Sequence, residues 1–323
     1  MADNVAMSFN TPNFSGMLFR KGAEATPFST IIGANPAITN HVEFVTGQYY
    51  EAVQGEQPDI SEEESLTAPD ATVYTRAQLT NVTQIFQKSV YVSYAKLSNM
   101  GTLSGVNIEG QSANPQSELS FQIMRTMAKI AQDIEYTFIN GVYRKSSSDS
   151  VSNQTRGVLT AITTNVVDAG GKNLSRDLIS KALTMISQNG GDISNMIIGI
   201  PAVHMAQLDY ESRHNGLTEV PRERDVNGIR VTQILTPFGL VNVVIISTIP
   251  IGTALVFNPA IMRPVGQPTP GKGNFFLEPL AKTGAGERYQ IFGQMGLDHG
   301  PEWLSAKITG LSTVMPMESV PST

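Results

Sequence analysis

Arg76-Ala77-Gln78-Leu79-Thr80-Asn81-Val82-Thr83-Gln84-Ile85-Phe86-Gln87-Lys88-Ser89-Val90-Tyr91-Val92-Ser93-Tyr94 decides the fold, because it alternates with a period of two residues. Val82, Phe86, Val90, Val92 and Tyr94 share one parity, and Asn81, Thr83, Gln87, Ser89 and Ser93 take the other. Successive side chains of a strand point to opposite faces, so this is the pattern of a strand with one face buried. It is expected to return over residues 72–94 from an outgoing strand over 42–53. Between them, Gln54-Gly55-Glu56-Gln57-Pro58-Asp59-Ile60-Ser61-Glu62-Glu63-Glu64 has the composition of a polar loop.

Charge sets this hairpin apart. Residues 41–75 contain eight acids (Glu43, Glu51, Glu56, Asp59, Glu62, Glu63, Glu64 and Asp70) and no Lys or Arg. The segment carries −8 while the whole chain carries −6, so the remainder sums to +2. A lone two-stranded hairpin is marginal in water, and like charges along it repel. It is expected to be stabilised against a neighbour of complementary charge. The competing reading of Glu62–Glu64 is a solvated tip.

Before the hairpin, residues 1–40 form a polar arm with scattered apolar residues (Phe9, Phe14, Met17, Leu18, Phe19, Ile31, Ile32) and too little periodicity for a helix or core of its own. After it comes a strong helix. Asn114-Pro115 offers a cap and a first-turn proline, Leu119, Ile123, Met127, Ile130, Ile134 and Phe138 recur at helical steps, and Gly141 supplies a stop. Met124 and Met127 are expected to pack. Residues 142–174 read as a connection with an apolar island at Gly157–Ile162. Ser175 caps a second helix that ends at Gly190-Gly191, a strand covers Met196–Ile200, and Pro201 opens a helix to about Arg213. A charged loop over Glu219–Asp225 precedes a hairpin, Ile229–Leu235 and Leu240–Ile246, turning at Thr236-Pro237-Phe238-Gly239. Strands are expected at Ala254–Phe257, Phe275–Leu280, Glu287–Leu297 and Trp303–Ile308. Helices among many strands give an α+β class.

Composition excludes several functions. The 323 residues suffice for two domains, and 41% hydrophobic with 15% charged residues fits a folded chain. With 22 basic against 28 acidic residues there is no global electrostatic grip on nucleic acid. The absence of cysteine removes disulfides, cysteine–zinc sites, iron–sulfur clusters and thiol nucleophiles. Met1-Ala2-Asp3-Asn4 does not open a targeting segment. Val231–Met262 has no charged residue, yet Pro237, Pro250 and Pro259 break it repeatedly, so it reads as strands and turns and no membrane partner is expected.

No catalytic constellation emerges. Gly266-Gln267-Pro268-Thr269-Pro270-Gly271-Lys272-Gly273 has phosphate-loop spacing up to its lysine, but Gly273 stands where Ser or Thr must reach magnesium, and no helix follows. Gly101-Thr102-Leu103-Ser104-Gly105 lacks the serine position of a nucleophile elbow. His41, His204, His214 and His299 lie apart, and each is expected in a turn or at the surface. No catalytic, cofactor or metal residue is therefore assigned, and no cofactor is expected.

The order arm, acidic hairpin, long helix, α/β unit and returning strands resembles the major capsid proteins of tailed bacteriophages with the HK97-type fold. Residues Arg76–Lys88 with Val90-Tyr91-Val92-Ser93 are similar to the returning strand of the extended loop in the SU10-like family. Gln132-Asp133-Ile134-Glu135-Tyr136-Thr137-Phe138-Ile139-Asn140-Gly141 is similar to the end of that family's spine helix. Arg156-Gly157-Val158-Leu159 and Pro279-Leu280-Ala281-Lys282-Thr283-Gly284 also match its pattern. The resemblance implies an N-terminal arm (1–40), an extended loop (41–80), a peripheral domain with the spine helix (81–164), an axial domain (165–255) and return strands of the peripheral domain (256–323).

It further implies a virion capsid protein, assembled in the host cytoplasm, that forms hexamers and pentamers and closes an icosahedral shell around double-stranded DNA contacted non-specifically. Separate scaffolding, decoration and portal proteins are compatible partners; only some 40 residues precede the loop, so any scaffold is expected to be a separate protein. Residues 41–75 hold no lysine for a lysine–asparagine cross-link of the kind some relatives use, so closure without covalent bonds is expected. The subunit-contact candidates are Glu62, Glu63 and Glu64 on one copy and Arg213, Arg222 and Arg224 on its neighbour. The alternative for the arginines is local pairing with Glu211, Glu223 and Asp225. Two other functions stay open: an encapsulin-like nanocompartment shell, and an enzyme with an unrecognised site.

Overall fold

The computed structural model describes residues 14–15, 25–33, 36–50, 55, 57, 59–68, 73–74, 76–98, 103–104, 118–214, 222–226 and 229–315. Its larger sheet is mixed and has seven strands. From edge to edge these are Val166–Asp168, Ala306–Thr309, Ala254–Phe257, Ile197–Ile200, Gly239–Ile245, Ile229–Thr236 and Arg222–Val226. Ile197–Ile200 pairs in parallel with Gly239–Ile245 and antiparallel with Ala254–Phe257. All four residues of Ile197–Ile200 and of Ala254–Phe257 are buried. That explains why they read as unbroken apolar runs: both faces of the sheet are covered.

On one face, Ile198, Ile200, Val243 and Val256 meet Ile179, Leu183 and Ile186 of the helix Arg176–Gln188. Ser175 caps that helix, its Oγ accepting from Leu178 N at 3.4 Å. On the other face, Ile197, Leu255 and Phe257 meet Phe138 and Ile139 of the long helix and Phe28, Ile31 and Ile32 of the arm. The arm thus contributes a short helix, Pro27–Ile32, to the core, where too little periodicity for a helix was expected. Phe28 lies edge-on to Phe257 at 5.2 Å.

The second sheet is built on the 13-residue strand Gly286–Asp298. Gln84–Ser93 pairs along one side of it, and Phe275–Pro279 and Arg263–Gly266 along the other, with Ala37–Ile38 beyond. The long helix Glu118–Asn140 crosses this sheet with Ile130 packed on Phe86 and Ile291. Its 23 described residues span about 35 Å at 1.5 Å per residue; the expected Asn114-Pro115 start lies outside the described residues. The helix ends where two glycine backbones touch. Gly157 N donates to Gly141 O at 2.9 Å, and a Cβ on Gly157 would stand 2.5 Å from Gly141 N.

Several expectations are corrected. Met124 and Met127 are 58% and 48% exposed, so neither packs. The Glu219–Asp225 loop is in part an edge strand, Arg222–Val226. Trp303 lies in a single turn, Glu302–Leu304, and the last strand is Ala306–Thr309, in the seven-stranded sheet and not beside Gly286–Asp298. His204 and His299 are buried. His204 Nε2 accepts from Gly252 N at 3.0 Å, which places its proton on Nδ1, 2.9 Å from Gln207 Oε1. Gln207 also accepts from Leu174 N and donates to Ser312 O and Val314 O. One buried pair thereby satisfies the backbone of three connections that would otherwise lie unpaired. Val231–Met262 is strand and turn as expected, and among the described residues no helix is long and apolar enough to cross a membrane.

Candidate functional site

The alternating stretch is two strands, not one. Arg76–Val82 pairs antiparallel with Glu43–Tyr50, in register from Glu43↔Val82 to Tyr50↔Arg76 with one shift between Val45 and Gly47. Gln84–Ser93 pairs with Gly286–Asp298. The chain changes partner at Thr83, and the hairpin leaves the body as a two-stranded sheet of its own. Buried Phe86, Val90 and Val92 keep the expected parity, whereas Tyr94 is 40% exposed.

The extra residue in the outgoing strand is Thr46, whose Oγ1 donates to Leu79 O at 3.2 Å. Such a bulge bends and twists a strand. The described residues between the strands are all exposed, and they include Ile60, Leu66, Val73 and Tyr74, with Tyr50 at the strand end. Leu66 is 84% exposed and Val73 83%. Five large apolar side chains are thus exposed along this one described stretch.

Glu62 and Glu63 are exposed and make no ion pair among the described residues. Glu64 is different. Its carboxylate accepts from Ser61 N and Ser61 Oγ, both at 3.0 Å, while Glu64 N donates to Ser61 Oγ at 3.2 Å. This reciprocal capping box opens the turn Glu64–Leu66, and the Ser61 hydrogen bonds hold the Glu64 carboxyl below its ordinary range. Glu43 has a partner in its own chain: Lys145 Nζ at 2.6 Å and Thr80 Oγ1 at 3.0 Å lower its pKa. One acid of the eight is therefore neutralised at the base, leaving the tip negative.

Of the three arginines, Arg213 pairs with Asp209 one turn back, at 2.8 Å, and not with Glu211. Glu211 instead accepts from Arg176 N at 3.0 Å. Arg222 and Arg224 lie on the edge strand opposite Gln233 and Val231; their side chains lie outside the described residues. Among the described residues, no ion pair joins Glu62, Glu63 or Glu64 to Arg213.

Sequence reasoning missed the placement of five residues. Tyr49 stacks edge-on against Trp303, the only tryptophan, at 5.2 Å. Asn81 is fully buried where the hairpin joins the body. His299 is buried nearby in sequence to Trp303, with Nε2 unpartnered. Glu135 lies on the long helix, 1% exposed, and takes the arm's Phe28 N at 2.9 Å and Ser29 N at 2.7 Å. Asn81 stood on the polar parity of its strand, and Glu135 answers to backbone 107 and 106 positions away, so neither carried a local signal. Among the described residues no cluster of His, Asp or Glu is arranged to hold a metal ion.

Known structures share this architecture. The capsid asymmetric unit of cyanophage A-1(L) superposes with a TM-score of 0.63 at 8% identity, over 95% of this chain and 97% of that one. The capsid of cyanophage P-SCSP1u gives 0.54 at 10% identity, covering 97% of each chain. The SrpI encapsulin of Synechococcus elongatus PCC 7942 gives 0.60 at 11% identity, over 88% of this chain and 87% of that one. At such identities the likeness is one of fold, the α+β HK97-type capsid fold. Among curated proteins no relative matches. The family model described as SU10 major capsid protein matches residues 1–312, which takes in the hairpin, its root and both sheets together. The chain belongs to the SU10 major capsid protein family.

Proposed function

We propose that this phage major capsid protein assembles through hexamers and pentamers into an icosahedral shell enclosing double-stranded DNA, in the cytoplasm of the host. The observation that carries the reading is the hairpin: a two-stranded sheet whose described tip is negative, apolar and exposed, with no described residue covering it. Each contact between copies can be weak, because closure multiplies it over the lattice. The protein has no substrate in this reading, and DNA is held without sequence readout. Residues 1–40 act as the arm, 41–80 as the extended loop, 81–164 and 256–323 as the peripheral domain, and 165–255 as the axial domain, with Ala306–Thr309 crossing into the axial sheet.

Glu62 and Glu63 are the tip acids free to meet a neighbour, with Glu64 shaping the turn between them and Leu66. Arg222 and Arg224 on the sheet edge are the better candidates to receive them, since Arg213 has Asp209 beside it. The test is electron microscopy and sedimentation of the expressed chain, alone and with a scaffolding protein. Closed particles containing nuclease-protected DNA are expected. A small oligomer under every condition overturns the proposal, and closed particles filled with protein in place of DNA favour the nanocompartment reading that the encapsulin fold likeness suggests.

A further inference from the structure

We propose that Asn81 is a positioning residue that clamps the hairpin to the body and fixes its direction before any second copy is met. The inference rests on the shell reading and adds to it that the hairpin is aimed in the free chain. Asn81 sits at the junction of two sheets. Hairpin pairing ends at Glu43↔Val82, and pairing with Gly286–Asp298 begins at Gln84↔Met295. A chain that changes partner within two residues is an obvious place for a hinge.

The side chain of Asn81 closes that hinge. It is 0% exposed. Nδ2 donates to Leu297 O at 2.8 Å and to Arg156 O at 3.1 Å. Oδ1 accepts from Arg156 N at 2.8 Å and from Val82 N at 2.9 Å. Both hydrogens and both acceptor positions of the amide are used, which is its full capacity. Toward Arg156 it gives and takes one hydrogen bond each, as a paired backbone residue does, so the side chain acts as a third strand for two residues. It reaches backbone 75 and 216 positions away in sequence.

Neighbouring contacts point the same way. Thr83 N donates to Val42 O at 2.8 Å, and Thr83 Oγ1 donates to Gln267 Oε1 at 2.6 Å. Lys145 holds Glu43, and Tyr49 rests on Trp303. A leucine at 81 would fill the space and leave Arg156 N, Arg156 O and Leu297 O without the partner. An aspartate would aim oxygens at two carbonyls.

The chain has no cysteine, so Gln78→Cys on the hairpin and Lys181→Cys on the helix Arg176–Gln188, both exposed, can carry a unique pair of spin labels. Double electron–electron resonance on the unassembled chain then reads the hairpin's direction. One narrow distance is expected, retained in Glu62→Lys/Glu63→Lys and broadened in Asn81→Leu, which should also lose its assembly rate. A broad distribution in the labelled chain with Asn81 intact overturns the clamp without needing any variant to fold. So does an Asn81→Leu chain with unchanged width and normal particles. Failure of the chain to form particles while the distance stays narrow counts against the shell reading and leaves the clamp standing.

Discussion

Glu135→Gln should loosen the arm without unfolding the body. The Glu135 carboxylate, 1% exposed, accepts from Phe28 N at 2.9 Å, Ser29 N at 2.7 Å and Ser29 Oγ at 2.5 Å. It thereby caps the N-terminus of the helix Pro27–Ile32, whose Phe28, Ile31 and Ile32 enter the core. Glutamine keeps the shape but offers one acceptor where the carboxylate offers two. With its oxygen toward Ser29, its NH₂ faces Phe28 N–H, donor against donor, at a cost of about 1–3 kcal/mol for one buried unsatisfied group. Taking about 2 kcal/mol, the population with the arm released rises roughly 30-fold at 1.4 kcal/mol per factor of ten.

Hydrogen exchange reads this directly. Amides of Phe28–Ile32 should exchange faster by about that factor, while those of Ile197–Ile200 stay as slow as before. The pH dependence gives a second check. Burial raises the Glu135 pKa above 4.5 despite the hydrogen bonds from Ser29 and Phe28. The folded state therefore binds this proton more tightly than the unfolded one. Its contribution to stability is full below pH 4.5 and is lost as pH rises through the folded value. Glu135→Gln should remove that slope. Unchanged exchange at Phe28 and Ser29 in the variant would refute the reasoning.

Three further outcomes follow from the same geometry. Gly157→Ala puts a methyl 2.5 Å from Gly141 N, a backbone atom that cannot swing away, so thermal melts should show a loss of about 2 kcal/mol or more. Burial depresses the pKa of His299 below 6.5, with Arg156 also disfavouring its charge and the Gly300 carbonyl, Asp298 and Glu302 opposing. Below pH 6.5 the unfolded chain takes up this proton before the folded one does, so urea midpoints should fall with acidification, and His299→Asn should flatten that fall. Charge reversal at Glu62 and Glu63 should slow particle formation, read by light scattering, while the melting temperature holds; normal particle yield would remove these residues from the interface.

What was legible in the sequence was what has a period. Val82, Phe86, Val90 and Val92 announced a strand with one buried face, and Ile130 and Phe138 announced the buried stripe of the helix. The apolar run Ala254–Phe257 announced a central strand to the residue. Two-sheet membership was not legible, because Thr83 sits in phase with its neighbours and nothing local marks a change of partner. Buried Asn81 fell on the polar parity and looked solvated; its partners are 75 and 216 residues away. His204 and Glu135 failed to show for the same reason, each answering a need of distant backbone. Met127 failed in the other direction, apolar at a core-phased position yet 48% exposed, because no described residue covers that end of the helix face.

A firmly rooted hairpin is also what the energetics of association require. Its strands hold eight and seven residues. Ordering a residue's backbone costs roughly 1 kcal/mol at the low end, so ordering them only on contact would cost on the order of 15 kcal/mol. Burying the exposed apolar side chains Tyr50, Ile60, Leu66, Val73 and Tyr74 against a neighbour returns about 2 kcal/mol each, on the order of 10 kcal/mol. A limp hairpin would therefore not dock, before any loss of rotational freedom is counted. With Asn81, Thr83, Lys145 and Trp303 holding the strands in place beforehand, the ordering cost is already met, and the tip contacts have only the lost rotational and translational freedom to offset. In the proposed shell the acidic tip would then set where the hairpin docks, and the buried amide at its root would lower the ordering cost of docking.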